Sequence, residues 1–378
     1  MISSLSNRDH YCSLKDAIYL NQASLGLTGD PAVSAMHRYL DEVGRHGNMN
    51  LTDDEEVALL TPLRGKAATL MNCPPQQLAI LTSAGDMLSQ LPTLLNVRSG
   101  GTFLSVSTDF PAITRPWIAH AQTHDIDLRF VDEKADVDLT SALIEVMDEK
   151  TAVVAVSYVQ FSTGTRVDVS RLREATRRVG AYLVIDVTQA AGAIPIDAAG
   201  WDADVVVCSG YKWLGGQGGV GLAVLSPDLI NRTPPAPGWM GAADPFDMQA
   251  TSLPLADDAR RYTHSTMSYI SVVGLDAAIS ELLALGAKNI DAHACALAAL
   301  LEKLLDRSGW KPFRAAQDGS ASAHIVTLGN PAGNIENMVK RLRDAKIICG
   351  SRNGRIRVSI AHFNNESDIR ALVHVLRE

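Results

Sequence analysis

The chain has few cysteines, few aromatic residues and no excess of basic charge. Its five cysteines are scattered, odd in number and never spaced as Cys-x-x-Cys, so we expect neither a metal site nor a disulfide framework. Such cysteine usage favours the reducing cytoplasm. Acidic residues outnumber basic ones by 42 to 34, which gives a formal net charge of −8 without a basic patch. Nucleic acids and anionic membrane surfaces are therefore not expected as partners.

Long hydrophobic runs are absent as well. No segment approaches the roughly 18 apolar residues that a membrane span needs, and residues 1–10 lack the apolar stretch of a signal peptide. What the 378 residues do contain is 46% hydrophobic and 20% charged side chains. This composition predicts a globular protein of about two domains, each with a large core.

Strand and helix signals alternate through the middle of the sequence. The predicted strands are 78–81, 102–106, 127–131, 152–158, 182–185, 205–208 and 220–225. The predicted helices between them are 85–96, 112–122, 139–147 and 169–179. Such alternation predicts a mostly parallel sheet with helices on both faces. Ligands of such sheets bind at the carboxyl ends of the strands.

The composition changes near residues 233–238, where proline and glycine predict a loop. A smaller domain is predicted to follow Ser268. Its predicted helices are 272–285, 289–307, 334–344 and 365–376, and its predicted strands are 323–328 and 355–360. We therefore divide the chain into an N-terminal extension (1–18), a large domain (19–267) and a small C-terminal domain (268–378).

Two strand ends carry the residues with the clearest chemistry. Lys212 follows an apolar strand and stands between Tyr211 and Trp213, while Asp186 ends the preceding predicted strand. A buried lysine can hold a carbonyl as a Schiff base, and a carboxylate can keep a pyridine nitrogen protonated. The pair thus suggests pyridoxal 5′-phosphate (PLP) as cofactor. The plainer alternatives are a lysine lying along apolar surface and an aspartate that caps a helix.

In these two segments the chain resembles the class V aminotransferase family of fold-type I PLP enzymes. That family includes cysteine desulfurases, other C–S lyases, kynureninase and isopenicillin N epimerase. The similarity runs from Tyr19 nearly to the C-terminus. It implies an α/β fold with a mostly parallel seven-stranded sheet in a large domain, plus a smaller C-terminal α+β domain. It also implies a homodimer whose active sites lie near the interface.

The resemblance further implies a set of cofactor contacts. The phosphate contacts would be Ser83, Ala84, Gly85, Ser209 and Tyr211. The ring contacts would be Phe110, stacked on the pyridine, with Gln160 and Gln189 toward its hydroxyl. Thr266, together with His264 and Ser265, would reach the phosphate across a dimer interface. Gln189 and Phe110 stand where many relatives carry histidine, and core packing or a polar turn is the alternative for such residues.

The resemblance also implies an amino-acid substrate, which residues near the two ends of the chain would bind. Arg357 matches the residue that clamps the substrate α-carboxylate, a role that suits a bidentate guanidinium. Asn21 would contact the substrate or its covering loop. A surface salt bridge is the alternative for Arg357.

One glycine-rich segment resembles a nucleotide-binding motif but does not predict a nucleotide-binding site. Residues 216–221 satisfy Gly-x-Gly-x-x-Gly, the dinucleotide fingerprint. That fingerprint must open a helix, whereas these residues lead into the predicted strand 220–225. The segment therefore predicts a turn after the lysine.

The reaction class depends on the fate of the substrate once its Cα proton is lost, a step for which Lys212 is the natural base. β-Elimination, transamination and epimerisation all remain open from these residues. In desulfurases a cysteine on a mobile loop, between an arginine and the carboxylate clamp, accepts sulfur as a persulfide. Residues 352–357 contain no cysteine, and Cys349 precedes Arg352. We therefore predict a C–S lyase that works by β-elimination without a protein persulfide. An aminotransferase or epimerase, a cysteine desulfurase and a non-catalytic PLP-binding protein are the alternatives.

Overall fold

The computed structural model describes the whole chain, residues 1–378. The strands are β1 (Ile18–Leu20), β2 (Leu78–Leu81), β3 (Gly101–Val106), β4 (Ile126–Val131), β5 (Thr151–Ser157), β6 (Tyr182–Asp186), β7 (Val205–Ser209), β8 (Gly221–Leu225), β9 (Lys311–Pro312), β10 (Ile325–Gly329), β11 (Ile347–Arg352) and β12 (Arg355–Ser359). The helices are α1 (Asp30–His46), α2 (Asp53–Ala58), α3 (Thr61–Met71), α4 (Ala84–Leu95), α5 (Pro111–Ala121), α6 (Leu139–Glu145), α7 (Val169–Val179), α8 (Ala198–Trp201), α9 (Pro227–Ile230), α10 (Tyr269–Leu285), α11 (Ala287–Leu304), α12 (Ile335–Asp344) and α13 (Glu366–Arg377).

The larger sheet has seven strands in the order β2-β8-β7-β6-β5-β3-β4. Only β8 runs antiparallel to its neighbours, so the prediction of a mostly parallel seven-stranded sheet is confirmed. Alternate residues of β5, β6 and β7 belong to two different hydrophobic clusters, one on each face. Because both faces are buried, these strands are nearly continuous apolar runs. Their carboxyl ends meet at one edge, where Ser157 is paired with Asp186.

The smaller sheet has five strands in the order β1-β11-β12-β10-β9. Here β1 pairs parallel to β11, with Leu20 opposite Cys349. Residues 18–20 therefore belong to the sheet formed otherwise by the C-terminal part of the chain, and the boundary drawn between residues 18 and 19 falls inside a strand. The next residue, Asn21, continues this association through a bridge to Ser359.

The predicted strands of the larger sheet agree with the observed ones to within one residue at each end. Strands β1, β9 and β11 and helices α1 and α3 were not predicted from the sequence. β11 was missed because its second half, 350–352, is glycine and polar residues, and it is a strand only through its pairing with β12.

Two long helices, α10 and α11, meet at Gly286, whose φ of +81° is accessible to glycine. No single helix has the length and hydropathy needed to cross a membrane. Taken together, these two helices meet that test of length and composition, although they are bent by 73°.

Candidate active site

Lys212 lies just beyond the carboxyl end of β7 and is 6% exposed. Its Nζ is 5.1 Å from the ring centroid of Phe110 and 5.7 Å from that of Tyr211. Burial disfavours the ammonium and lowers the lysine pKa to about 8, although Asp186 opposes the shift. The structure thus brings Lys212 and Phe110 together and lowers the pKa of the amine, so that its neutral form is far more accessible than for a free lysine.

Asp186 ends β6, next to β7, and is buried. Its Oδ1 accepts a hydrogen bond from the backbone N–H of Thr188 at 2.7 Å, and it forms no ion pair within the chain. Burial raises the pKa of this carboxyl, while Thr188 and Lys212 lower it. A buried carboxylate needs a compensating partner, and a protonated ring nitrogen would provide one.

A polar network at the ends of β3 and β5 holds Gln160. The Gln160 Nε2 donates to Asp109 Oδ2 at 3.0 Å. Its Oε1 is buried and has no hydrogen-bond partner in the protein. Asp109 also accepts from the backbone N–H of Ser157 at 2.8 Å and from its hydroxyl at 2.6 Å. The roles of Asp109 and Ser157 were missed from the sequence, since nothing local to either residue indicates that the other is its partner.

The predicted phosphate cradle lies where α4 begins beside β8. Ser83 is the N-cap of α4, and its Oγ accepts from the backbone N–H of Asp86 at 3.0 Å. A Cβ on Gly221 would lie 2.5 Å from the Ala84 nitrogen, so only glycine lets the strand approach this helix end. The free N–H groups of a helix N-terminus suit an anion.

Asp86, in the first turn of the same helix, is held by contacts with its neighbours. Its carboxylate accepts from the Thr82 hydroxyl and from Gln90 Nε2, each at 3.0 Å. His264 Nδ1 lies 3.5 Å from Asp86 Oδ2. These contacts tie up both carboxylate oxygens of Asp86, while the phosphate role of Ser83 to Gly85 stays a prediction.

Arg357, on β12, is 1% exposed. Its Nη1 donates to the Phe161 carbonyl at 2.8 Å and its Nη2 donates to the Ser24 hydroxyl, while Nε has no partner. Burial, and next the nearby Arg352, lower the guanidinium pKa to about 10. No carboxylate of the chain pairs with Arg357. Asn21 is adjacent, since its Oδ1 accepts from Ser24 at 2.9 Å, so the two predicted substrate residues lie together.

Comparison with known families agrees with this geometry. The chain matches the family model "Aminotransferase class-V" over residues 18–372. The chain belongs to the aminotransferase class-V family. A similar curated protein is the uncharacterized aminotransferase YcbU of Bacillus subtilis, 25% identical over 96% of this chain and 94% of its own length. A probable cysteine desulfurase of Methanothermobacter thermautotrophicus is 25% identical over 74% of this chain and 70% of its own. A kynureninase of Deinococcus radiodurans is 27% identical over 70% and 65%.

Solved structures show the same fold. The cystine C–S lyase C-DES, in complex with cysteine persulfide, superposes with a TM-score of 0.88 at 21% identity, covering 97% of this chain and 99% of that one. The cysteine desulfurase CsdA of Escherichia coli gives a TM-score of 0.83 at 20% identity, covering 97% and 96%. The class-V protein therefore has the fold-type I architecture, and it is a PLP-dependent enzyme.

Three features of this class-V enzyme fit PLP. Asp186 is a buried carboxylate without a cation, Gln160 Oε1 is a buried acceptor without a donor, and the start of α4 offers N–H groups. Ser209 is half-buried beside them, and its backbone N–H donates to the Thr188 hydroxyl at 3.1 Å. Phe110 is 38% exposed and its ring lies near Lys212, which is compatible with stacking on a bound ring.

Gln189 occupies a different environment from the predicted ring contact. Its Nε2 donates to the Ala23 carbonyl at 3.0 Å and its Oε1 accepts from the Trp213 indole at 2.8 Å. Both ends of the amide are used within the protein, so Gln189 holds the residue after Lys212. Its contact with the cofactor stays a prediction that these bonds do not support. Thr266 is exposed on the surface of the chain, so its role across an interface also stays a prediction.

A loop that was missed from the sequence clamps the backbone of Lys212. Gln22 Nε2 donates to the Lys212 carbonyl at 3.1 Å, and the backbone N–H of Gly26 donates to the Tyr211 carbonyl at 2.9 Å. A Cβ on Gly26 would lie 2.0 Å from the Lys212 oxygen. The sequence signal for this contact was Gly26, five residues after Asn21, but the residue that it contacts, Lys212, lies far along the chain.

Proposed function

We propose that this class-V enzyme cleaves the C–S bond of a cysteine-derived amino acid by β-elimination, without a persulfide on the protein. The observation that carries the proposal is the short connection between β11 and β12. Arg352 pairs with Arg355, so only Asn353 and Gly354 form the turn. Both have positive φ, +47° and +69°, as in a type I′ hairpin. A turn of two residues leaves no room for the mobile cysteine loop that the resemblance to desulfurases implies.

The cysteines nearest in sequence to the site residues are poor nucleophiles. Cys349 lies on β11 opposite Leu20, and burial raises the pKa of its thiol to about 12. Cys208 lies within β7, and burial followed by the charge of Asp186 also raises its thiol pKa. Because the thiolate is the form that attacks sulfur, neither cysteine supports a persulfide at neutral pH.

The chain's own residues account for the steps of an elimination. Bound PLP supplies an electron sink for charge that develops at the substrate Cα. Arg357 binds the α-carboxylate and orients the Cα–H bond, and Lys212 Nζ, whose pKa burial lowers, removes that proton. The C–S bond then breaks with its electron pair on sulfur, and the thiolate takes up a proton. Overall, R–S–CH₂–CH(NH₃⁺)–COO⁻ and water give thiol, pyruvate and ammonium.

Relatives and solved neighbours support a sulfur-containing amino acid as substrate. C-DES is described as a cystine C–S lyase with cysteine persulfide as product, and CsdA as a cysteine desulfurase. We therefore propose cystine or an S-conjugate of cysteine for this enzyme. We also propose that it acts as a cytoplasmic homodimer, since the resemblance places the sites near an interface and all five cysteines are free.

The proposal is tested with the purified, PLP-loaded enzyme, cystine and S-aryl cysteine conjugates. We expect pyruvate, ammonium and the thiol or persulfide product in equal amounts, unchanged by Cys349→Ala. Loss of sulfur release in Cys349→Ala would identify a desulfurase. A reaction that requires an added keto acid and releases no ammonium would identify an aminotransferase. Racemisation of the amino-acid substrate without pyruvate or thiol would identify an epimerase. A cofactor absorbance that survives Lys212→Ala and yields no product would identify a non-catalytic protein.

A further inference from the structure

We infer that Asp109 is a positioning residue for the cofactor: one buried carboxylate that fixes both the ring-stacking Phe110 and the ring-edge Gln160. The inference rests on the proposed assignment of those two residues to the PLP ring. Asp109 lies in the turn between β3 and α5 and is 6% exposed. It touches neither Lys212 nor the predicted phosphate cradle by any hydrogen bond, so its effect must pass through the residues it holds.

Four donors converge on this carboxylate. They are the backbone N–H of Phe110 at 2.7 Å, the backbone N–H and hydroxyl of Ser157 at 2.8 and 2.6 Å, and Gln160 Nε2 at 3.0 Å. Three of them come from the end of β5 and its following turn, and β5 is the neighbour of β3 in the sheet. Asp109 therefore joins the carboxyl ends of two adjacent strands at the edge where the site lies.

An ionised carboxylate is the group that fits this arrangement, because it accepts hydrogen bonds at both oxygens and donates none. Burial raises the pKa of Asp109, and the bonds from Ser157, Gln160 and Phe110 oppose that rise. Asp109 forms no ion pair within the chain. Its charge lies close enough to raise the pKa of Asp186, so the two carboxylates together favour a cationic ring in the site.

The orientation of Gln160 follows from this charge. Since Asp109 can only accept, it draws the Nε2 end of the amide and turns the Oε1 end away. That oxygen is fully buried and has no partner in the protein. The Ser157 carbonyl also accepts from Nε2, at the longer distance of 3.4 Å. Asp109, the charged and closer acceptor, thus favours the orientation in which Gln160 presents an acceptor, which suits a ring hydroxyl that donates a proton.

The position of Phe110 has the same origin. Its backbone is extended, with φ −67° and ψ 133°, and it is the N-cap residue of α5. The bond from its N–H to Asp109 Oδ1 fixes this residue directly, and its ring lies 5.1 Å from Lys212 Nζ. Asp109 therefore fixes both Phe110, which would stack on the face of the ring, and Gln160, which would lie at its edge.

The test is titration of Asp109→Asn apoprotein with PLP, followed by absorbance and by visible circular dichroism of the bound cofactor. The Asn side chain has nearly the same shape, but in either orientation its NH₂ would face a backbone N–H, that of Phe110 or that of Ser157, and the charge that holds Gln160 is lost. We expect PLP binding about tenfold weaker and an altered dichroic band. The matched control, Ser157→Ala, removes one donor and keeps the charge, and its affinity should stay within about threefold of wild type.

A lower melting temperature with unchanged PLP affinity and an unchanged dichroic band would show a merely structural role and overturn the inference. If Asp109→Asn does not fold, Gln160→Glu and Gln160→Met are compared instead. A glutamate facing Asp109 should lose more affinity than methionine, and equal losses would contradict the inference. None of these readouts uses the reaction, so they remain decisive if the substrate proposal fails.

Discussion

At the scale of single residues, the burial of Lys212 has a measurable cost in the apoprotein. Its pKa is about 8 when folded and 10.5 as a free side chain. Between these values the unfolded chain binds more protons, so the free energy of unfolding should rise as the pH increases from about 8 to 10.5. Below pH 8 both states hold the proton, and the full cost of burying the ammonium stays constant. The amine makes no hydrogen bond within the chain, which makes methionine a suitable replacement.

We therefore expect Lys212→Met apoprotein to be more stable than wild type at pH 7, by about 3 kcal/mol. The difference should shrink toward zero as pH approaches 10.5. Urea unfolding of both proteins at several pH values measures it, and taking the difference cancels the titration of groups that do not interact with Lys212; Asp186, which does, titrates well below this pH range in the unfolded chain. A difference that does not vary with pH would show that the lysine is not held near its neutral form.

Arg357 provides a second test at this scale. Lysine keeps the charge but loses the bidentate geometry, so Arg357→Lys should raise KM for the amino-acid substrate by about tenfold or more, with cofactor absorbance unchanged. Arg355→Lys is the matched control on the same strand, because its guanidinium lies 5.0 Å from the Phe313 ring and not at the site. An equal rise of KM in both variants would argue against the clamp.

At the scale of elements, the loop of residues 21–27 depends on one glycine. Gly26→Ala would place a methyl group 2.0 Å from the Lys212 carbonyl, so the loop must withdraw and lose its bonds to that backbone. We expect a lower free energy of unfolding, by about 2 kcal/mol or more, and weaker PLP binding.

Gly65→Ala is the control for this change, since Gly65 lies in α3 and a Cβ there meets nothing within 4 Å. It should raise the free energy of unfolding by about 0.5–1 kcal/mol. Denaturant unfolding and PLP titration of both variants check the pair. If Gly26→Ala binds PLP as tightly as wild type, the loop does not position the lysine.

The same loop shows which parts of the structure can be predicted from the sequence and which cannot. The central strands β5, β6 and β7 could be predicted because they are nearly continuous apolar runs, and β6 ends at Asp186. Strand β1 could not be predicted, because its three residues form a strand only by pairing with β11. The clamp on Lys212 and the network of Asp109 join residues that are 190 and 48 positions apart. A local pattern marks such residues as polar or small, but their partners are set by the packing of the whole chain.

At the scale of the whole molecule, elements of both sheets contribute residues to the proposed site. Asp186 ends a strand of the larger sheet and Lys212 and Gln160 follow such strands, whereas Arg357 lies on β12 of the smaller one. The bond from Arg357 to the Phe161 carbonyl spans the two. A substrate held by its carboxylate and its amino group therefore bridges both parts of the chain, and substrate binding should slow proteolysis at the connections between them.

The proposed dimer makes the last prediction. We expect a solution mass of twice 40.5 kDa by light scattering, and Thr266, which is exposed here, to serve the site of the other subunit. Thr266→Ala should then weaken PLP binding by about tenfold, the loss of one hydrogen bond to a charged group. A hybrid of one Lys212→Ala subunit and one Thr266→Ala subunit contains a site with an intact lysine and the partner's Thr266. Prepared with two affinity tags, it should bind one PLP per dimer with wild-type affinity, measured as borohydride-reducible absorbance. Weak binding in the hybrid would instead place Thr266 in the site of its own subunit.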